Sequence, residues 1–303
     1  MNICVLGGLG HLGSYFLKPL GEAHNITVLD NLSTQRYCSL YAENLPANGI
    51  RFIEGDICTY DLKTLFRGQD IVIHLAAITD AATSASRPAD VYWVNLHGTE
   101  RVAEACVANG AKLIFPSTTS VYGKSEGLVD ETAVLKPQSP YASSKLKAEQ
   151  YLKTVEGLRF VIFRFGTIFG VSRGSRWHTA INSFCWSAAT GKPIKVWITA
   201  NHQKRPYLHL GDCTSVIQHA IDQDLFDGET FNVLSGNWSP YDIVQEIRKH
   251  RNDLAVRMVT SEIMNQLSYT TSYGKILQTG WSPKGTLEAG IAETMQLLSG
   301  IHR

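Results

Sequence analysis

The sequence predicts an α/β protein built on a doubly wound parallel sheet, with a smaller interleaved lobe toward its C-terminus. Three observations predict it. Apolar strand-like runs alternate with helical patterns through the first half, as in successive βαβ units. The first run leads straight into a glycine loop, Gly7-Gly8-Leu9-Gly10-His11-Leu12-Gly13. Hydroxyl-bearing residues gather after the fifth strand, at the edge where ligands bind in such sheets.

Asn2 to Leu6 reads as the first strand, about His11 to Leu20 as the helix behind it, and Asn25 to Leu29 as the second strand. Arg51 to Glu54 and Ile71 to Leu75 are the third and fourth strands. A long helix is expected from about Pro88 to Asn109, stopped by Gly110. Lys112 to Phe115 is the fifth strand, Ser139-Pro140 opens a helix reaching about Thr154, and Arg159 to Phe163 is the sixth strand. Past Gly166 the alternation breaks, with Gly, Arg and Trp clustered from Gly170 to Trp177. The expected division is residues 1–166 and 167–303, with a later strand near 229–234 returning to the first unit.

Composition narrows the function. With 44 % hydrophobic residues in 303, a sizeable core can be buried. A net charge of +1 lacks the basic field that nucleic-acid or membrane-surface binding needs. The opening Met-Asn-Ile-Cys-Val-Leu-Gly-Gly has no basic leader region and no cleavage signal, and no stretch approaches a membrane span. Six scattered cysteines without metal-type spacing read as free thiols in a reducing cytoplasm, so neither a metal nor disulfides are expected.

In the glycine loop, Gly7 makes the tight turn, Gly10 lets backbone approach a pyrophosphate, and Gly13 lets helix and strand pack closely. The following helix N-terminus favours phosphate. Asp30 ends the second strand roughly twenty residues beyond the loop, as a dinucleotide site expects. Its carboxylate accepts from ribose hydroxyls and repels a 2′-phosphate, which points to NAD; Arg36 nearby keeps NADP open.

Tyr141 and Lys145 stand four apart at a helix start and share one face. A phenol titrates near pH ~10, and an adjacent ammonium lowers that value, giving a usable acid/base. An ordinary surface Tyr–Lys pair is the bland alternative. The hydroxyl cluster Ser117-Thr118-Thr119-Ser120 at the carboxyl end of the fifth strand raises the first reading. Asn95, an amide on an otherwise apolar helix, is either an ordinary exposed residue or one that bonds backbone and holds the site's geometry.

Together these motifs resemble the extended short-chain dehydrogenase/reductase family, within it the nucleotide-sugar epimerases of the UDP-galactose 4-epimerase type. The resemblance runs on through Asp30-Asn31-Leu32-Ser33, Gly55-Asp56-Ile57, His74-Leu75-Ala76-Ala77, Arg205 to Asp212 and Gly280-Trp281-Ser282-Pro283. It implies Tyr141 as acid/base, Lys145 on the nicotinamide ribose, and Thr118 in the place of the family's Ser/Thr. The implied NAD site comprises Gly7, Gly10, His11, Leu12 and Gly13; Asp30, Asn31, Ser33, Asp56 and Ile57; and Leu75, Ala76, Ala77 and Asn95, with Tyr141 and Lys145. The implied sugar-nucleotide site comprises Thr79, Thr118, Thr119, Thr167, Asn182 and Arg205, with Arg205 on the diphosphate. A homodimer paired through the Pro88–Asn109 and Ser139–Thr154 helices is also implied.

The chain departs from the family at Gly166-Thr167, where an Asn is usual, and at Thr79, where UDP-galactose epimerases tend to have Lys. The run Ser172 to His178 is rich in cations and aromatics, and reads equally as a ligand contact or a solvated loop. The expected reaction is epimerisation of a nucleotide-diphosphate sugar, at C4, through transient oxidation to a keto sugar. A nucleotide-ketosugar reductase is the alternative on the same scaffold. A non-catalytic dinucleotide sensor has no need of Thr118, Tyr141 and Lys145 together. A 4,6-dehydratase carries an acidic pair after the catalytic Thr, where this chain has Thr119 and Ser120.

Overall fold

Seven parallel strands make the central sheet of the computed structural model, which describes residues 1–34, 37–42, 45, 49–79, 84–125, 127–260 and 269–301. The chain opens with β1 (Asn2–Leu6), α1 (Gly13–Ala23), β2 (Asn25–Asp30), α2 (Tyr37–Ala42), β3 (Ile50–Glu54), α3 (Leu62–Leu65) and β4 (Ile71–His74). Next come α4 (Pro88–Tyr92), a π turn (Trp93–His97), α5 (Gly98–Asn109), β5 (Lys112–Thr118), a 3-10 turn (Thr119–Tyr122), β6 (Leu128–Val129), α6 (Pro140–Leu152), β7 (Phe160–Phe165) and β8 (Thr167–Phe169). Then follow α7 (Ala180–Ala189), β9 (Ile194–Trp197), β10 (Arg205–His209), α8 (Leu210–Asp222), β11 (Thr230–Val233) and β12 (Gly236–Trp238). The last are α9 (Pro240–Arg248), β13 (Val256–Val259), β14 (Thr270–Thr271), α10 (Gly274–Leu277) and α11 (Leu287–Leu297).

The sheet order is β3-β2-β1-β4-β5-β7-β11, so the doubly wound parallel sheet expected from the sequence is present. The order reverses between β1 and β4, and the chains leaving their carboxyl ends part to form a crevice. The inner strands are buried on both faces, as a parallel sheet requires, while the edge strand β3 is partly exposed. Cys4, Leu6, Val72 and Leu113 face Val102, Cys106, Ala148 and Leu152 of α5 and α6. Ile3, Val5 and Ile73 join Phe16 and Leu17 of α1, and Val216 and Ile217 of α8, in the core on the other face. Full burial of such a side chain is worth about 1.5–3 kcal/mol. A third core, with Ile181, Cys185, Ile194, Val196, Ile243 and Ile291, ties α7, β9, α9 and α11 together. There β10 pairs with β8 in parallel and with β12 antiparallel. Among the described residues no helix is long and apolar enough to cross a membrane.

Local chemistry sets the element ends. Ser139 caps α6 by accepting from the Ala142 amide at 3.1 Å, with Pro140 at the first helical position. Gly110, at φ 67°, ends α5 in the left-handed conformation. Three elements differ from expectation. α1 begins at Gly13 rather than near His11, because the loop holds its own turn, with Gly10 N donating to Gly7 O at 3.3 Å. The long helix from Pro88 is broken by the π turn, which sets Asn95 at 1 % exposure. β5 continues to Thr118, so Ser117 and Thr118 stand on the strand itself, paired with Arg164 and Phe165 of β7.

Gly7 has φ 74°, and a Cβ there would lie 2.6 Å from the Ala76 amide nitrogen. Gly7→Ala is therefore expected to destabilise the fold by about 1–3 kcal/mol, from strain and overpacking together. Denaturant unfolding reads this directly, and an unchanged midpoint would show that the crossover tolerates a methyl group.

Candidate active site

The crevice at the sheet reversal widens into a cavity of about 1690 Å³. Single small-ligand sites usually span about 300–1,000 Å³, so this one has room for two nucleotide-sized molecules. Its floor on one side is the glycine loop, Gly7 to Gly13, from which α1 departs with its N-terminus toward the cavity. Gly13 fits only as glycine, since a Cβ would meet Gly8 O at 2.2 Å. Asp30, at the end of β2, accepts from Leu9 N at 3.0 Å and from Leu32 N at 2.9 Å. It thereby braces the loop, and a carboxylate with about four acceptor sites keeps capacity for ribose hydroxyls. Asn31 donates to Asp56 at 2.8 Å, and Asp56 also takes the Cys58 amide at 2.8 Å, which fixes this end of the cavity. Arg36 lies outside the described residues.

Most of the residues expected from the sequence line this one cavity. His11, Leu12, Ser33, Ile57, Leu75, Ala76 and Ala77 lie along the dinucleotide half. Thr118, Tyr141 and Lys145 meet in the middle, and Thr79, Thr167 and Arg205 reach it from the other half.

Three expected contact residues stand behind the wall instead. Asn95 spends its amide on Ile78, accepting from N at 2.8 Å and donating to O at 2.9 Å, and on Ser144 Oγ at 3.0 Å. Ser144 in turn donates to Tyr141 O at 2.8 Å, so Asn95 ties the cleft wall to the turn that carries Tyr141. Of the two sequence readings, the backbone-bonding one describes it. Thr119 turns its hydroxyl to Phe165 O at 3.3 Å. Asn182, fully buried, is used by Gly170 N and O and by Arg176 O at 2.9 Å, and so shapes the segment from Gly170 to Arg176.

That segment is where the sequence left two readings open. Ser172 Oγ stands 3.1 Å from His11 Nδ1 and takes the Ser14 hydroxyl at 3.2 Å, while Gly174 N donates to Ser14 Oγ at 2.8 Å. A Cβ on Gly174 would meet Gly10 O at 2.7 Å. The segment packs on the glycine loop itself. Its Arg176 lines the cavity and its charge reaches Tyr141. Sequence reasoning left the Ser172 to His178 run open as a ligand contact but did not single out Arg176, which lies among other cations with no spacing to distinguish it.

Charge divides the cavity in two. On the glycine-loop side the lining carries Asp30 and Asp56, Arg87 and Asp90 line it from the α4 end, and Lys145 lines it from α6. On the lobe side the described lining carries Arg176, Lys192, Lys195, Arg205 and Arg257, and no carboxylate. Lys195 and Arg257 are register partners across β9 and β13, a like-charge pair that an anion between them would relieve.

The acid–base pair differs from expectation in one respect. Burial pushes the Tyr141 phenol up, against the pull of the Arg176 charge and a hydrogen bond with Thr118. Lys145 is not what lowers it. Its Nζ lies 3.7 Å from the centroid of the Phe115 ring, and burial drives its pKa down to about 7, with Glu149 working the other way. Lys145 is thus near half-charged at neutral pH.

The chain is similar to known proteins over most of its length. A model of the NAD dependent epimerase/dehydratase family matches residues 3–233. Among curated relatives, an "Uncharacterized UDP-glucose epimerase YtcB" of Bacillus subtilis (strain 168) is 30 % identical over 244 residues, covering 77 % of this chain and 76 % of that one. A dTDP-D-glucose 4,6-dehydratase of Mus musculus is 28 % identical over 315 residues, covering 97 % and 88 %. Among solved structures, a UDP-glucuronic acid 4-epimerase mutant from Bacillus cereus, in complex with UDP-4-deoxy-4-fluoro-glucuronic acid and NAD, superposes with a TM-score of 0.89 at 26 % identity, covering 98 % of this chain and 100 % of that one.

The Lys145 pKa carries a stability prediction. Between about 7 and the ordinary 10.5, the unfolded chain binds a proton on Lys145 that the folded chain does not, so folded stability rises with pH across that window. Lys145→Met lacks this rise. The variant is expected to be the more stable form at pH 7 and to lose that advantage toward pH 10.5, as read by thermal unfolding of both proteins in parallel. A constant difference would mean that Lys145 is not stripped of its proton by burial.

Proposed function

The chain belongs to the NAD-dependent epimerase/dehydratase family and is an NAD-dependent nucleotide-sugar epimerase of the short-chain dehydrogenase/reductase type, and from that premise we propose that its substrate is a UDP-sugar epimerised at C4. The observation that carries this reading is the meeting of Thr118, Tyr141 and Lys145 midway between the glycine loop and a cation-lined lobe. The UDP moiety and the C4 position rest on the names of the relatives at 30 % and 26 % identity.

NAD supplies the acceptor and donor of hydride when bound; Gly7, Gly10, Gly13, Asp30 and Asp56 are the residues to hold it. Tyr141 takes the hydroxyl proton and returns it, with the Arg176 charge and the Thr118 hydrogen bond favouring its phenolate; Thr118 also orients the reacting oxygen, and the charged form of Lys145 holds the ribose. Arg205 meets the diphosphate by paired charge-assisted hydrogen bonds. Epimerisation asks for no acid beyond Tyr141. The residues after Thr118 are Thr119 and Ser120, neither able to protonate a leaving hydroxyl, which favours epimerase over dehydratase despite the 28 % relative. Residues 1–166 with the 229–234 strand form the dinucleotide unit in this reading, and the rest of 167–303 is mainly the sugar-nucleotide lobe. The six cysteines carry free thiols, in keeping with a reducing cytoplasm.

The test is turnover of a panel of UDP- and dTDP-sugars without added reduced cofactor. Conversion of a UDP-hexose to its C4 epimer under catalytic NAD is expected. Tyr141→Phe should lower it about 10²–10⁴-fold with the fold intact. Stoichiometric use of reduced cofactor with a ketosugar would move the chain to the reductases, and loss of the 6-hydroxyl to the dehydratases.

The same reading carries a homodimer through α4–α5 and α6. Trp93 is 53 % exposed and Val107 39 % exposed there, apolar surface that a partner helix pair would cover. Sedimentation at micromolar concentration is expected to give twice 33.5 kDa; a monomer would remove the dimer from the proposal.

A further inference from the structure

Behind the catalytic pair lies a buried polar chain that the reaction, as described, does not use. Glu149 follows Lys145 by one helical turn on α6 and is 1 % exposed. Its carboxylate accepts from the Ser117 hydroxyl, and from Arg164 through Nε at 3.1 Å and Nη2 at 2.8 Å. Arg164, 3 % exposed on β7, donates through Nη1 to Tyr122 OH at 3.0 Å, and Tyr122 donates to Asn232 on β11 at 2.7 Å. On β5, Phe115 and Ser117 point to the same face: Phe115 lies under the Lys145 ammonium and Ser117 under the Glu149 carboxylate.

We propose that Glu149 is a positioning residue for the reaction: Arg164 holds its carboxylate one turn behind Lys145, where its charge keeps that ammonium charged beside Tyr141. Three ionisable groups are buried in one shell, two cationic and one anionic. Removing two cations from water with a single anion leaves an uncompensated charge. The proton most easily given up is that of Lys145, since a guanidinium does not lose its own. The Phe115 ring and the Glu149 carboxylate oppose that loss. A tie between α6 and β7 alone would need only hydrogen bonds, which neutral side chains supply at lower desolvation cost.

Tyr141 and Glu149 share a helix with Lys145, His74 from β4 feels its charge, and Arg164 from β7 and Tyr122 from the 3-10 turn stand on the far side of Glu149. His74 is held neutral, pushed down to about 3 by burial and by Lys145, so it brings no competing charge. On the α4–α5 side, Asp90 lines the cavity, Glu100 and Glu104 act on Tyr151, and Lys147 lies over the Tyr92 ring. Glu149 is therefore the carboxylate whose charge reaches Lys145.

The inference rests on the acid–base reading of Tyr141 and Lys145, and its test separates the two. In protein labelled with ¹³Cε-lysine, the Lys145 resonance is titrated by NMR without any turnover. Glu149→Gln keeps the hydrogen-bonding shape and removes the charge. It is expected to move the Lys145 midpoint down by about one pH unit or more, as loss of an opposite charge within reach does. At pH 7 kcat should fall about fivefold or more, as the charged fraction of Lys145 drops from about one half to about one tenth, with KM for the nucleotide sugar within about twofold. Ser117→Ala removes a contact to the same carboxylate without its charge and should leave the midpoint in place. If Glu149→Gln does not fold, Glu149→Asp, which keeps the charge but withdraws it by one methylene, should give a smaller downward shift. An unmoved midpoint in the foldable variant overturns the proposal, as does a midpoint that moves equally in Ser117→Ala. A moved midpoint with unchanged kcat would keep the charge coupling and instead remove Lys145 from the acid–base reading.

Discussion

The molecule depends on backbone packing against backbone at the point where the strand order reverses. Gly7, Gly13 and Gly174 each occupy a place where a Cβ would stand 2.2 to 2.7 Å from another main-chain atom. Gly7 brings the end of β1 against the chain leaving β4, Gly13 sets α1 on the loop, and Gly174 sets the lobe's own segment on Gly10. Side chains at these positions would force the three apart by more than close-packed interiors tolerate. The crevice, its glycine floor and the seating of the lobe above it all follow from that contact. Asp30 reinforces it by holding the Leu9 amide, so the carboxylate at the end of β2 braces the loop.

Around this contact the fold spends its polar groups on holding other polar groups. Asn95 bonds Ile78 and Ser144, Asn182 bonds Gly170 and Arg176, and Thr119 bonds Phe165. None of the three lines the cavity, yet each fixes a segment that does. Buried amides and hydroxyls must be paired, and pairing them with main chain is what makes the walls rigid. Tyr141 and Lys145 sit on this braced shell, where burial raises Tyr141 and lowers Lys145. Charges that can reach them through low-dielectric surroundings, Arg176 for the phenol and Glu149 for the amine, therefore weigh more than they would at a surface.

Much of this was legible in the sequence, because much of it is local. The glycine spacing, the Asp30 position, the Ser139-Pro140 cap and the four-residue step from Tyr141 to Lys145 are fixed by φ, by capping chemistry and by helical pitch. The alternation of apolar runs sufficed for a parallel sheet, since strands buried on both faces need continuous apolar stretches. Even Thr118, three residues before Val121, could be placed on the fifth strand's trailing edge.

What the sequence did not reveal is carried by contacts across long separations. Nothing local says that Arg176 would reach Tyr141, that Ser172 would meet His11, or that Glu149 would be buried under Arg164. A glutamate four residues after a lysine ordinarily reads as an exposed helical pair. Here β5 and β7 bury that helix face, and the carboxylate needs a guanidinium from another strand to be tolerated. The direction of the Tyr141 shift was misjudged for the same reason: sequence spacing gives the distance between two groups, whereas burial depends on everything packed around them. By itself the sequence determined the sheet, the glycine turn and the helical step that sets Tyr141 and Lys145 on one face. The tertiary structure alone decided which amides stand behind the wall, which cations enter the cavity, and how solvent exclusion sets the charge on each group.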